Sequence, residues 1–325
     1  MTTAGRYGGH RQSGIADRNT PASILEAGTG LQWQQRKVVV DGRHVNYVDA
    51  GSGEPAVLLL HGIGASHRIW QTTMPALAAV RRVVAIDLPG FGASDSFPVL
   101  FGARQAADHI GSICDALGLG QVDLVGHSMG GMIAMQVVAS SPDRIGRLAL
   151  ISSSLTSIMK FYCHPVAGFV LQPRVCSRFI GQMAVASLPV SPRLVRSVVS
   201  SPRLRRLACR NFLAESGAVD SRVLLDVLIS SASGRTLSAA LMGFRFDFPG
   251  AAAAVAARNR ETLLISGAGD RFVGAGDMEV FADLVGPHEL AIVRDAGHWP
   301  MIEQPRAVIH ILKSWLTEPA DREDL

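Results

Sequence analysis

Residues 122–130 read Val-Asp-Leu-Val-Gly-His-Ser-Met-Gly, an apolar strand running straight into the pattern G-x-S-x-G at Gly126–Gly130. A helix is predicted from Met129 to about Ala139, and Pro142 forbids its continuation. A sharp strand-to-helix turn pushes its middle residue into a strained backbone conformation. The flanking glycines remove the Cβ atoms that would collide there. The Ser128 hydroxyl is thereby predicted to stand at the carboxyl end of a sheet, beside a helix N-terminus that favours negative charge.

The surrounding chain fits this turn. Val57-Leu58-Leu59-Leu60 does not alternate with polar residues. A continuous apolar run of this length marks a strand buried on both faces, as in a parallel sheet covered by helices. Further strands are predicted at Lys37–Val40, Val45–Asp49, Arg82–Asp87, Arg147–Ser152, Glu261–Gly267 and Leu290–Arg294. Helices are predicted at His67–Ala79, with Ser66 as its cap, at Ala103–Leu117, ending at Gly118, and at Asp277–Val285 and Arg306–Leu316. This alternation implies βαβ units and a mostly parallel sheet. It breaks between 155 and 234, where helical stretches are punctuated by Pro165, Pro173, Pro189, Pro192 and Pro202. The predicted organisation is a mobile tail over 1–35, an α/β core built from 36–154 and 235–325, and a helical insertion over 155–234.

Composition narrows the function. Of 325 residues, 48% are hydrophobic and only 18% charged, which excludes disorder for the bulk of the chain. A net charge of +4 is too mild to argue for nucleic acid. The charge is uneven, however. The insertion holds nine arginines and Lys160 against Glu215, Asp220 and Asp226. Cys114, Cys163, Cys176 and Cys209 include no C-x-x-C pair, so neither a zinc site nor a redox pair is expected, and reduced, mostly buried thiols are. No uncharged apolar run reaches the ~18 residues of a membrane span, and no secretory h-region follows the N-terminal arginines. A cytoplasmic protein without integral membrane association, metal or cofactor is expected; its oligomeric state is left open.

A serine is a weak nucleophile until a base activates it and a third group orients the base. His298, in Asp295-Ala296-Gly297-His298-Trp299-Pro300, follows the last predicted strand and so lies at its carboxyl end. His61 starts a loop, His127 is inside the turn, and His288 precedes its strand. The acid is expected between serine and histidine in the chain. Asp270 stands at the tip of a glycine loop ending the strand Glu261–Gly267, with Asp277 as its rival. The loop after Arg147–Ser152 offers no carboxylate. A developing oxyanion needs donors, and the backbone N–H groups of Met129 and of Ile63, in His61-Gly62-Ile63-Gly64, are the candidates.

Five stretches, LLLHGIGAS (58–66), AIDLPGFGASD (85–95), LVGHSMGG (124–131), LLISGAGD (263–270) and AGHWPMIEQP (296–305), resemble the lid-bearing members of the α/β-hydrolase family, in the family's order. The resemblance implies a mixed eight-stranded sheet, a helical lid between strands six and seven, and a Ser128–His298–Asp270 triad. It implies no substrate. Members that open epoxides or remove halides carry an aspartate where this chain has Ser128, so those activities are disfavoured. The chain also lacks the proline common before the seventh strand, which affects loop shape. The expected activity is a cofactor-independent serine hydrolase acting on an ester, thioester or activated carbonyl of a small, largely apolar substrate. The alternatives are a C–C bond hydrolase, an acyltransferase, a lyase or a non-catalytic ligand-binding member. Trp299, His127 and Gly62 are candidate substrate contacts. Phe161, Phe169, Phe179, Met183 and Phe212 are expected as the lid's packing face, some of them lining the pocket. Arg203, Arg205, Arg206 and Arg210 are a solvated face, or else meet an anionic or carrier-bound substrate.

Overall fold

A computed structural model describes residues 35–96, 101–153, 156–188, 190–215, 217–231, 236–258, 260 and 262–317. The predicted N-terminal tail lies outside the described residues, apart from Gln35.

Eight strands form one sheet: β1 (Gln35–Val40), β2 (Arg43–Ala50), β3 (Ala56–Leu60), β4 (Val83–Ile86), β5 (Val122–His127), β6 (Ile145–Ile151), β7 (Thr262–Gly267) and β8 (His288–Val293). Their spatial order is β1-β2-β4-β3-β5-β6-β7-β8. β2 runs antiparallel to β1 and β4, and every other pairing is parallel. β3 is fully buried because alternate residues point to opposite faces and both faces are covered. Leu58 and Leu60 enter one apolar cluster with helices α2 (Ala103–Ala116) and α3 (Met129–Ser140). Val57 and Leu59 enter the other. That second layer is built from the 3₁₀ turn His67–Trp70, α1 (Met74–Ala78), and the C-terminal helices α13 (Pro300–Glu303) and α14 (Pro305–Thr317).

Two differences from the predicted elements bear on the fold. The helix expected over His67–Ala79 is broken into the 3₁₀ turn and α1, because Pro75 lacks an N–H and belongs in a helix's first turn. His288 begins β8 instead of preceding it, still at the amino end of the sheet. Between β6 and β7 the chain runs through helices α4 (Thr156–Cys163), α5 (Pro165–Leu171), α6 (Pro173–Ala186), α7 (Pro192–Ser200), α8 (Pro202–Cys209), α9 (Ser221–Ser231), α10 (Thr236–Met242) and α11 (Phe248–Ala257). Pro165, Pro173, Pro192 and Pro202 thus start helices, the position where a missing N–H costs least. The Ser191 and Ser201 hydroxyls cap α7 and α8. The helical excursion does not stop at 234: α10 packs on α6. The remaining helix is α12 (Ala275–Val285). Cys114, Cys176 and Cys209 are buried, Cys163 is exposed, and all four are free thiols. No helix among the described residues is long and apolar enough to cross a membrane.

Leu59 has no solvent exposure and sits between the sheet and its second helical layer. Leu59→Ala is expected to lower unfolding stability by about 2–5 kcal/mol, read from urea denaturation.

Candidate active site

Ser128 holds φ 52° and ψ −119° between β5 and α3. That left-handed backbone is costly for a residue with a side chain. The elbow tolerates it by close packing. A Cβ on Gly126 would lie 2.6 Å from the Gly130 oxygen, and one on Gly130 would lie 2.6 Å from the His61 oxygen. The Ser128 N–H donates to the Ile151 carbonyl at 2.9 Å, tying the turn to β6.

The structure brings Ser128, His298 and Asp270 together. The Ser128 Oγ lies 3.0 Å from His298 Nε2, and His298 Nδ1 lies 2.8 Å from Asp270 Oδ2. The Asp270 carboxylate is fully buried, and its other oxygen accepts from the Phe272 and Val273 N–H groups at 2.8 and 3.1 Å. That fixes which oxygen faces the imidazole. Asp277 is elsewhere: it accepts from the Thr156 and Ser157 hydroxyls at 2.6 and 2.7 Å, anchoring the start of α4 to α12. The His298 N–H donates to the Phe212 carbonyl at 2.7 Å, and the Phe272 ring meets the imidazole edge-on at 5.1 Å.

Ser128 and His298 open onto a cavity of about 510 Å³, its mouth included. Ile63 and Met129, whose N–H groups are the candidate oxyanion donors, both line it. Met129 is the first residue of α3, so its N–H has no acceptor within the helix. The rest of the wall is apolar: Met132, Ile158, Phe179, Met183, Phe212 and Phe272, with α10 contributing Ala239, Ala240 and Met242. The Tyr162 hydroxyl, the other polar group there, is already donating to the Ala240 carbonyl at 2.7 Å. No arginine, lysine or carboxylate is among the described lining residues. Arg203, Arg206 and Arg210 are exposed and Arg205 bonds to the Ser221 hydroxyl, so the sequence-based pairing of these arginines with a substrate anion finds no support at the cavity.

The three expected substrate contacts are placed differently. His127 is wholly buried behind the site. Its Nε2–H donates to the His298 carbonyl at 2.8 Å, and burial holds its pKa well below the usual imidazole range. Gly62 presses on that ring and on Ser128: a Cβ there would lie 2.8 Å from His127 Nδ1 and 3.0 Å from Ser128 Cβ. Trp299 is buried and stacks on Phe212 at 4.5 Å. All three buttress the wall and none lines it among the described residues.

Glu303 has no role in the sequence reading, and it is central here. Its carboxylate is buried, taking the Gly297 N–H at 2.6 Å on one oxygen and the Ala214 N–H at 2.7 Å on the other. It therefore clasps the histidine loop to the helical segment that walls the cavity. The only signal in the sequence is an isolated carboxylate in the apolar run WPMIEQP. Among the described residues there is no group of three or more His, Cys, Asp or Glu placed to hold a metal ion.

Comparison with known proteins agrees with this fold. A family model for the α/β hydrolase fold matches residues 55–170. The 2-hydroxy-6-oxo-2,4-heptadienoate hydrolase of Pseudomonas putida is 29% identical over 286 residues, covering 86% of this chain and 95% of that protein. The 2-hydroxymuconate semialdehyde hydrolase of a Pseudomonas species is 26% identical, covering 92% and 97%. A thermophilic esterase from Thermogutta terrifontis superposes with a TM-score of 0.64 at 24% identity, covering 87% and 98%. The chain has the α/β-hydrolase fold, and the relatives that match most of it are hydrolases, so it is a hydrolase.

Burial pushes the Glu303 carboxyl up to about 7, reinforced by the nearby Asp270 charge and opposed by its backbone donors. The native state then holds this proton more tightly than the unfolded chain, whose carboxyl titrates near 4.5. The contribution to stability is full below about 4.5 and is lost as pH rises through about 7. Across that window the unfolding free energy of the wild type is expected to fall relative to that of Glu303→Gln, measured by urea denaturation at each pH.

Proposed function

We propose that the protein is a serine hydrolase that cleaves a neutral, largely apolar ester or thioester through an acyl-enzyme, with Ser128 as nucleophile, His298 as base and Asp270 as orienting acid. The observation that carries this reading is the hydrogen-bonded chain Oγ–Nε2, Nδ1–Oδ2 opening onto an apolar cavity. His298 Nε2 takes the serine proton as Oγ attacks the carbonyl carbon. The oxyanion meets the Met129 and Ile63 N–H groups, donors fixed in a poorly solvated site where they act most strongly. His298 then protonates the leaving oxygen or sulfur, and a water molecule, activated by the same imidazole, releases the acid and restores the serine. Asp270 holds the Nδ1–H and stabilises the imidazolium without taking the proton. All of these groups belong to the protein, so the cycle requires no metal or cofactor.

A second reading is hydrolysis of a C–C bond next to a carbonyl. It is favoured by the names of the relatives that match most of the chain, which act on 2-hydroxy-6-oxo dienoates or a muconate semialdehyde. Such dienoates carry a carboxylate. A cavity without a cation among its described lining residues is a poor place to desolvate one, which is why the neutral acyl substrate ranks first here.

A fluorophosphonate probe is expected to label the wild type, to leave Ser128→Ala unlabelled and to label His298→Ala weakly. Asp270→Asn is expected to lower kcat on a p-nitrophenyl ester by ~10⁴-fold, as the wrong histidine tautomer does elsewhere, while Asp277→Asn keeps most of it. A higher kcat/KM on a 2-hydroxy-6-oxo dienoate than on any ester in a graded panel would transfer the assignment to C–C cleavage.

A further inference from the structure

We propose that the outer face of helices α5 and α6 docks on an anionic lipid surface. The reason begins with α5, whose sequence is Pro-Val-Ala-Gly-Phe-Val-Leu. A helix apolar on all sides is ordinarily buried. Here the only buried residue is Gly168, which is pressed on α4 so closely that a Cβ would lie 2.6 Å from the Phe161 nitrogen. The glycine contact turns the side chains outward. Val166 is 80% exposed, Val170 71% and Leu171 69%.

Helix α6 continues the surface. Its inner side places Phe179 and Met183 on the cavity wall, and it exposes Arg174, Arg178, Ile180 and Val185, with Leu188 exposed just past its end. On α7 and α8, Leu194, Leu204 and Leu207 are exposed among Arg193, Arg196, Arg203 and Arg206. Exposed apolar side chains interleaved with guanidinium groups suit an interfacial helix, with acyl chains taking the first and headgroups the second.

The charge identifies the occupant. From Arg144 to Ala214 the chain contains no aspartate or glutamate, while Lys160 and eight arginines lie between 160 and 210. Arg174, Arg193, Arg196, Arg203, Arg206 and Arg210 form no ion pair among the described residues. Cations this dense attract a negative surface. A second copy of the chain, paired symmetrically through the same face, would bring like charges together. The docking does not rest on the hydrolase reading. It does place the membrane one helix away from the cavity, since α6 is both wall and outer surface.

Flotation of the full chain with vesicles tests this directly. It is expected to bind mixed phosphatidylcholine–phosphatidylglycerol vesicles, to bind pure phosphatidylcholine roughly tenfold less, and to release with added salt. Val166→Ser/Val170→Ser/Leu171→Ser and, separately, Arg174→Glu are expected to lower partitioning roughly tenfold, with hydrolysis of a short soluble ester unchanged. Arg104→Glu, on the far helix α2, is expected to leave it intact. Absence of binding to the anionic vesicles, or binding that ignores the α5 and α6 substitutions, overturns the proposal. So does concentration-dependent self-association in sedimentation velocity that disappears in the triple variant, which would assign the face to a second copy.

Discussion

The Ser128 backbone is the constraint on which the site depends. Its conformation is costly by about 1–3 kcal/mol for a residue with a side chain, and nothing local relieves it. It persists because β5 and α3 are each fixed by the sheet and by apolar packing on both faces. Gly126 and Gly130 bring the backbones into near contact, and the Ser128 N–H is held by Ile151 of the neighbouring strand. The hydroxyl then occupies one position relative to the sheet, and the other groups of the site are arranged around that point.

The imidazole is held just as firmly, by different means. Asp270 fixes its Nδ1 side, the Phe212 carbonyl holds its backbone N–H, and His127 holds its carbonyl. Glu303 joins this loop to Ala214, so the histidine is braced by the helical segment as well as by the sheet. The cavity wall and the Ser128–His298–Asp270 geometry are therefore mechanically coupled. A displacement of residues 212–214 reaches His298 through two hydrogen-bonded links, the Phe212 carbonyl and the Glu303 carboxylate.

Much of this was legible in the chain because the signals are local. The G-x-S-x-G turn, the unbroken apolar run at Val57–Leu60 and the loops carrying Asp270 and His298 each declare their conformation within a few residues. The choice of Asp270 over Asp277 followed from strand-end position, and the contacts of the two carboxylates are consistent with it. What stayed hidden is set by distant partners. His127, Gly62 and Trp299 neighbour the site in sequence, yet the His127 and Trp299 side chains point into the support behind it and the Gly62 backbone packs against His127 and Ser128. Glu303 gains its role only from Gly297 and Ala214, and Ala214 lies 89 positions away. That α10 walls the cavity was also hidden, because it is recognisable as part of the wall only by its packing on α6.

The order of the strands has a consequence for how the molecule comes into being. Ser128 sits on the central strand β5, while Asp270 and His298 follow β7 and β8 at one edge of the sheet. During synthesis the elbow leaves the ribosome long before its two companions exist. A partly made or truncated chain thus exposes an ordinary alcohol, and parallel pairing across such separations is among the slower events in folding. Under the proposed mechanism, reactivity arrives only when the segment carrying His298 has docked, so Ser128 stays silent until then.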